Sequence, residues 1–192
     1  MDKRRLFEFV VAISGLMALM PVMLIIVLLI VMEDGGPIFF IQSRLGKGLK
    51  PFYVLKFRSM CDGQVTRTGR WIRATGLDEL LQFFNVLNGS MSLVGPRPLT
   101  RADVRRLGWF DIHSPRFQLR PGITGLSQLY AGKGKRVTTF LENYYARERS
   151  MLLDCKIIFL SFLVNILGKK AVQHWLQEKR CCVRAARRCH RY

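Results

Sequence analysis

The sequence predicts a mostly helical α+β fold in a single membrane-embedded domain, and three observations carry that prediction. Residues 9 to 32 are apolar except for Ser14, long enough to cross a bilayer as a helix. Two short β-rich stretches follow, separated by glycines, the pattern of a β-hairpin. The remainder alternates Gly- and Pro-punctuated turns with stretches of helical periodicity. The expected division is an N-terminal membrane helix over 1–34, a domain at the membrane interface over 35–168, and a basic tail over 169–192.

The apolar run is preceded by Lys3, Arg4 and Arg5 and followed by Arg44, Lys47, Lys50, Lys56 and Arg58. Basic residues prefer the cytoplasmic side, so both flanks prefer the same side. A re-entrant helix that enters, kinks at Pro21 and returns satisfies both. A straight span remains open, because proline is tolerated in spanning helices. The run exceeds the length of a signal-peptide core, which argues against cleavage.

The hairpin is expected from Ile38–Gln42 and Phe52–Phe57, around a turn containing Gly46 and Gly48. Arg44, Lys56 and Arg58 fall at its ends and are candidate phosphate contacts; a solvated basic hairpin is the plain alternative. After a polar loop over 61–70 and Trp71-Ile72-Arg73, the stretch Ala74–Leu87 spells a helix. Thr75 and Asp78 have capping-box spacing, and Leu77, Leu80, Leu81, Phe84 and Leu87 recur as one buried face. At a helix N-terminus Asp78 and Glu79 are expected to stay ionised, available as nucleophile or metal ligand. A simple capping role is the alternative. The two side chains diverge by roughly 100° on a helix, so they are expected to do different jobs.

Pro96-Arg97-Pro98 restricts the backbone on both sides of Arg97 and suits a pre-positioned guanidinium for phosphate. Residues 101 to 119 mix Arg101, Arg105 and Arg106 with Trp109, Phe110 and Phe117, an interfacial segment or an amphipathic helix packed on the core. Arg120 stands in a second Gly-punctuated turn, Arg120–Gly125, followed by Gln128 and Tyr130. A helix is expected from Thr139 to Arg149, and an apolar core or interfacial amphipathic helix from Ile157 to Leu167.

With 31 Lys and Arg against 13 Asp and Glu, the 192-residue chain carries +18. That excess calls for an anionic partner: nucleic acid, anionic membrane lipid or a phosphorylated substrate. The tail contributes only +7 of it. Its Cys181, Cys182, Cys189 and His190 lack zinc-ligand spacing. Five cysteines in no framework spacing suit reduced thiols.

Read together, six blocks resemble the small monotopic phosphoglycosyl transferases of bacteria, the bacterial sugar transferase family. They are Pro37–Phe40 with Gln42, Arg44 and Gly46; Lys56–Met60; Leu77–Leu80; Met91–Pro98; Arg120–Gly125; and Tyr144-Tyr145 with Leu153-Asp154 and Lys156. The resemblance covers roughly residues 2 to 168. It implies a cytoplasmic catalytic domain at the bacterial inner membrane that moves a sugar 1-phosphate from a nucleotide sugar, usually a UDP-sugar, to polyprenyl phosphate. By matched position Asp78 would be the nucleophile, Glu79 would hold Mg²⁺, and Lys56, Arg73 and Arg97 would meet phosphates; Arg58 and Arg120 join them as candidate substrate contacts. The resemblance also favours the re-entrant helix.

The chain departs from the family pattern at Met20 before Pro21, Gly76, Leu81, Ser90, Leu126 and Glu142, the last where Asp is typical. Expected partners are a nucleotide sugar, polyprenyl phosphate and anionic lipid; a homodimer stays open. Nucleic acid is not expected, since no recognition helix or RNA-binding sheet is legible. A non-catalytic membrane scaffold is the remaining rival.

Overall fold

The computed structural model describes residues 2–109, 111–130 and 134–167. The chain begins with α1 (Lys3–Asp34), a 32-residue helix that runs as one element through Pro21 and is about 48 Å long at 1.5 Å per residue. Among the described residues it is the one helix long and apolar enough to cross a bilayer. Its buried positions, Glu8, Ala12, Ile26 and Ile30, form a narrow stripe against the rest of the protein. The opposite face is apolar and exposed, with Met17 at 69% and Met32 at 82% of their full accessibility. A large bare apolar face needs an apolar cover.

Both ends of α1 are fastened to the same body. Near the start, Arg4 pairs with Asp154 and donates to the Tyr145 hydroxyl at 2.9 Å, while Arg5 donates to the carbonyls of Val86 and Leu87. At the far end, Glu33 accepts the backbone N–H groups of Arg67 and Thr68 at 2.6 and 2.9 Å, and Asp34 pairs with Arg58. Glu33 thereby satisfies two orphan donors at the start of another helix.

The expected hairpin is present as β1 (Phe39–Leu45) and β2 (Pro51–Phe57), antiparallel, with Phe40 opposite Lys56, Gln42 opposite Val54 and Arg44 opposite Phe52. Opposed residues share a face, so Gln42, Arg44, Val54 and Lys56 point the same way. The polar loop after it holds a minimal ribbon, β3 (Met60–Cys61) and β4 (Gln64–Val65). Next comes α2 (Arg67–Thr75), capped by the Thr66 side chain on Gly69 N–H.

Here the single helix expected over 74–87 is divided. Trp71, Ile72 and Arg73 lie inside α2, which ends at Gly76 in the left-handed region (φ 72°). A tight 3-10 turn, Leu77–Glu79, follows, and α3 covers only Gln82–Leu87. The capping box does not form. The Thr75 hydroxyl donates backward to the Trp71 and Ile72 carbonyls, closing α2 rather than opening α3. The buried face also differs from the one expected: Leu81, Gln82, Asn85 and Val86 are buried, whereas Phe84 is 46% exposed. Asn85 is buried because it bonds to the hairpin, accepting from Leu55 N–H at 3.1 Å and donating to Tyr53 O at 2.7 Å.

The chain then forms β5 (Ser92–Val94), α4 (Arg101–Leu107), α5 (Pro115–Gln118), β6 (Gly122–Thr124), α6 (Leu126–Leu129), α7 (Lys135–Glu148) and α8 (Met151–Leu167). α4 opens with a true capping box between Thr100 and Asp103. Trp109 and Phe117 pack with Leu45 and Val104, so this part of 101–119 is core-packed rather than lipid-facing. α8 leaves Phe159 and Phe162 exposed at 61% each. The main core gathers Ala12, Val54, Val86, Leu93, Leu126, Leu141, Tyr145 and Ile157; a second cluster joins Ile26 and Ile30 to Phe57, Ile72 and Leu81.

β5 and β6 pair in parallel, and three glycines let their flanking turns cross. A Cβ on Gly95 would sit 2.4 Å from the Arg120 carbonyl oxygen, one on Gly122 would sit 2.1 Å from Gly95 N, and one on Gly125 would sit 2.2 Å from Gly95 O. Backbone–backbone bonds lock the crossing: Gly95 N–H donates to Thr124 O, and Gly122 N–H to Pro96 O. Cys61 and Cys155 are free thiols. The basic tail, with Cys181, Cys182, Cys189 and His190, lies outside the described residues.

Candidate active site

The Leu77–Glu79 turn and the polar face of the hairpin enclose a small cleft lined by Arg44, Val54, Lys56, Glu79, Gln82, Arg97 and Gln128, among others. Lys56 Nζ lies 2.5 Å from Glu79 Oε1. With that contact made, the free space in the cleft is about 20 Å³, enough for an ion or one water.

Each wall has a local cause. Gly76 adopts the left-handed conformation that ends α2 and starts the carboxylate turn, and a side chain there would be strained. Its neighbour across the fold is Asn165 of α8, 3.4 Å from where a Cβ would stand. The turn is closed by Glu79 N–H on Gly76 O at 3.2 Å and Leu80 N–H on Leu77 O at 3.3 Å. Hairpin alternation aims Arg44 and Lys56 at the turn, and Asn85 fixes the hairpin against α3. The glycine crossing brings Arg97 to the third side.

Burial pushes the Asp78 carboxyl above its ordinary range; the neighbouring Glu79 charge adds to the rise, while Lys56 and Arg73 oppose it. This reverses the expectation that a helix N-terminus would favour its ionised form. The 3-10 turn stands apart from α3, so Asp78 gains little from a helix dipole. Arg44 is also half-buried, and burial works against its charge, with Asp103 at 3.8 Å compensating.

The sequence-predicted residues divide between the cleft and its surroundings. Glu79, Lys56 and Arg97 line it, and Asp78 adjoins it on the same turn. Arg73 is exposed at the end of α2, close enough to favour a charged Asp78. Arg58 is committed to Asp34 outside the cleft. Arg120 is exposed; its backbone belongs to the glycine crossing, and it is not part of the cleft wall. Arg44, a candidate phosphate contact from its place in the hairpin, also lines the cleft, whereas Gln82 and Gln128 were not singled out from the sequence. Gln82 was reachable from spacing, since it follows Glu79 by three positions and Asp78 by four on a helical path. The hairpin register is what sets Arg44 on the same face as Lys56.

No group of three or more His, Cys, Asp or Glu side chains suited to a metal occurs among the described residues. A Mg²⁺ ion nevertheless fits the cleft's chemistry, because that ion commonly uses one or two carboxylates and completes its shell with water and substrate phosphate. Glu79 supplies the carboxylate. Gln128 Oε1, on the same cleft, is a buried oxygen without a hydrogen-bond partner.

The family profile described as bacterial sugar transferase matches residues 2–168. The chain is 38% identical over 199 residues to an undecaprenyl-phosphate glucose phosphotransferase of Komagataeibacter xylinus, covering 89% of this chain and 37% of the relative. It is 37% identical to a UDP-glucose:undecaprenyl-phosphate glucose-1-phosphate transferase of Escherichia coli (strain K12), covering 88% of this chain and 41% of the relative. It is 36% identical to an exopolysaccharide production protein, PSS, of Rhizobium leguminosarum bv. phaseoli, covering 81% and 91% respectively. The chain thus spans less than half the length of the first two relatives. On the match across nearly all its described residues, the chain belongs to the bacterial sugar transferase family.

Proposed function

We propose that the protein transfers a sugar 1-phosphate from a UDP-sugar to undecaprenyl phosphate or a similar polyprenyl phosphate, with Asp78 as nucleophile. The observation that carries this reading is the convergence of Lys56, Arg44 and Arg97 on the turn that bears Asp78 and Glu79. Cations in excess of the carboxylates suit a cleft that receives a diphosphate. The activities for which the relatives are named supply the substrate classes.

In this mechanism an Asp78 carboxylate oxygen attacks the sugar-bearing phosphorus, and the bond from that phosphorus to the bridging oxygen breaks. UMP leaves with the bridging oxygen. An oxygen of the polyprenyl phosphate then attacks the same phosphorus, the Asp78–phosphorus bond breaks, and polyprenyl-diphosphate sugar is released. Lys56 exchanges Glu79 for a phosphate oxygen when the donor enters, which opens the cleft. Arg44 and Arg97 hold the remaining phosphate oxygens. A Mg²⁺ ion bound by Glu79, with Gln128 beside it, would reduce the charge repulsion between carboxylate and diphosphate.

The same reading places α1 as a re-entrant helix on the cytoplasmic face of the inner membrane. Its support is the fastening of both helix ends to one body, which leaves no place for a hydrocarbon layer of about 30 Å between them. The exposed apolar face of α1 and the phenylalanines of α8 would meet lipid.

Three outcomes test the reading. Asp78→Asn is expected to lower turnover by roughly a thousandfold or more, since an amide forms no acyl phosphate. Its melting temperature is expected to hold or rise, because the fold raises the Asp78 pKa and therefore opposes the charge that the substitution removes. Substantial residual UMP release would remove Asp78 from the role.

The pH profile follows from the same shift. Asp78 must be ionised to attack, so kcat/KM is expected to fall with decreasing pH along a limb lying above the ordinary carboxylate range. Lys56→Met removes a cation that favours the ionised form, and is expected to move that limb to higher pH; an unmoved limb contradicts the assignment. Third, single cysteines placed at Asp2 and Gly35 in a background without other cysteines are expected to react with an impermeant thiol reagent from the cytoplasmic side only. Labelling of the two ends from opposite sides would establish a span.

A further inference from the structure

Behind Arg97 lies a buried ion pair that the cleft itself does not use. Arg116 Nη1 stands 3.0 Å from Glu142 Oε2, with only 5% and 2% of the two side chains exposed. Arg116 Nη2 donates to the Arg97 backbone carbonyl at 2.9 Å. The Arg97 N–H, in turn, lies near enough to Glu142 to favour its charged form. Ser127 Oγ donates to Glu142 Oε1 at 3.2 Å, and the guanidinium rests 4.3 Å from the centre of the Trp109 ring. Arg97 is thus approached at both its carbonyl and its amide by one pair of opposite charges.

We propose that Arg116 and Glu142 are positioning residues, clamping the Arg97 peptide so that its guanidinium is presented to the donor phosphates. The proposal rests on the reading of Arg97 as a donor contact. The physical need is specific. Pro96 and Pro98 restrict the backbone on either side, but neither fixes the rotation of the Arg97 peptide planes about the site. A guanidinium can do so because one of its nitrogens donates to the Arg97 carbonyl while another stays in ion contact with Glu142, short of an aligned hydrogen bond, two separated points that a lysine ammonium does not supply. The pair also forms part of the wall of a second cavity, of about 270 Å³, bounded by Trp109, Lys135, Thr139 and Asn143. That space gives small solutes a route to the clamp.

The experiment uses the full-length protein in detergent or nanodiscs, with UDP and Mg²⁺ as the binding probe. Arg116→Lys keeps the charge and is expected to weaken UDP binding about tenfold. In Arg116→Ala, millimolar guanidinium entering the second cavity is expected to restore part of the lost affinity. Combined with Arg97→Ala, Arg116→Lys is expected to add no further loss, because its effect passes through Arg97. Glu142→Asp retains the carboxylate and is expected to bind UDP better than Glu142→Gln.

A readout independent of nucleotide comes from hydrogen exchange. Arg97 carries the only exchangeable backbone amide in Pro96-Arg97-Pro98, and it is expected to exchange at least tenfold faster in Glu142→Gln than in the wild type. Unchanged Arg97 amide exchange in Glu142→Gln would overturn the clamp, as would unchanged UDP affinity in Arg116→Lys or full additivity with Arg97→Ala. If Arg97→Ala alone leaves UDP affinity intact while the Arg116 variants weaken it, the clamp is likewise overturned. Loss in Arg97→Ala with no loss in Arg116→Lys sinks the clamp while sparing the phosphate-binding reading.

Discussion

Two carboxylates adjacent in sequence on one tight turn repel each other, and Asp78 and Glu79 are also partly withdrawn from water. Such a turn is tolerated only where cations close around it. The organisation of the fold follows from meeting that constraint. The hairpin supplies Lys56 and Arg44, α2 ends with Arg73 nearby, and the crossing of two backbone segments supplies Arg97. The cations do not fully relieve the strain, for Asp78 still favours its protonated form more than a free aspartate does. A carboxylate held in this state is costly to the fold and useful to a reaction that consumes its charge.

The supports of the site are backbone contacts more than packed side chains. Gly95, Gly122 and Gly125 allow main chains to pass at distances where no Cβ fits, and this brings the Pro96–Pro98 and Arg120–Gly125 motifs together. Asn85, buried among apolar residues, joins the hairpin to α3 through both of its amide atoms. Tyr145 and Asp154 receive Arg4 and anchor the beginning of α1, while Glu33 caps α2 from its end. The long helix is thereby part of the same packed body as the cleft, a different relation from that of a tether joined only by a linker.

Much of this was legible from residue order. The length of the apolar run and the alternation in the hairpin are strong periodic signals, and both elements occur where they were expected. The division between α2, the 3-10 turn and α3 was hidden because Leu77, Leu80 and Leu81 keep a helical spacing across it. The break depends on Gly76 adopting a left-handed backbone, which composition permits but does not require. Gln82 and Asn85 fall outside the leucine and phenylalanine periodicity, yet both are buried and their side chains serve the cleft and the hairpin. Arg116 and Glu142 are 26 positions apart, as their numbering shows, with no local pattern to join them. Likewise Arg58 was grouped with Lys56 by proximity in sequence, although strand geometry and Asp34 take it elsewhere.

The proposed chemistry turns on a covalent bond between Asp78 and a sugar-bearing phosphoryl group. Intact-protein mass spectrometry after incubation with Mg²⁺ and a panel of UDP-sugars, without polyprenyl phosphate and with rapid acid quenching, addresses it directly. A mass increase equal to one phosphosugar is expected, with released UMP in matching amount, discharge of the adduct on adding polyprenyl phosphate, and no adduct in Asp78→Asn. Efficient single-turnover transfer to polyprenyl phosphate by Asp78→Asn, or an adduct that persists in that variant, would contradict it.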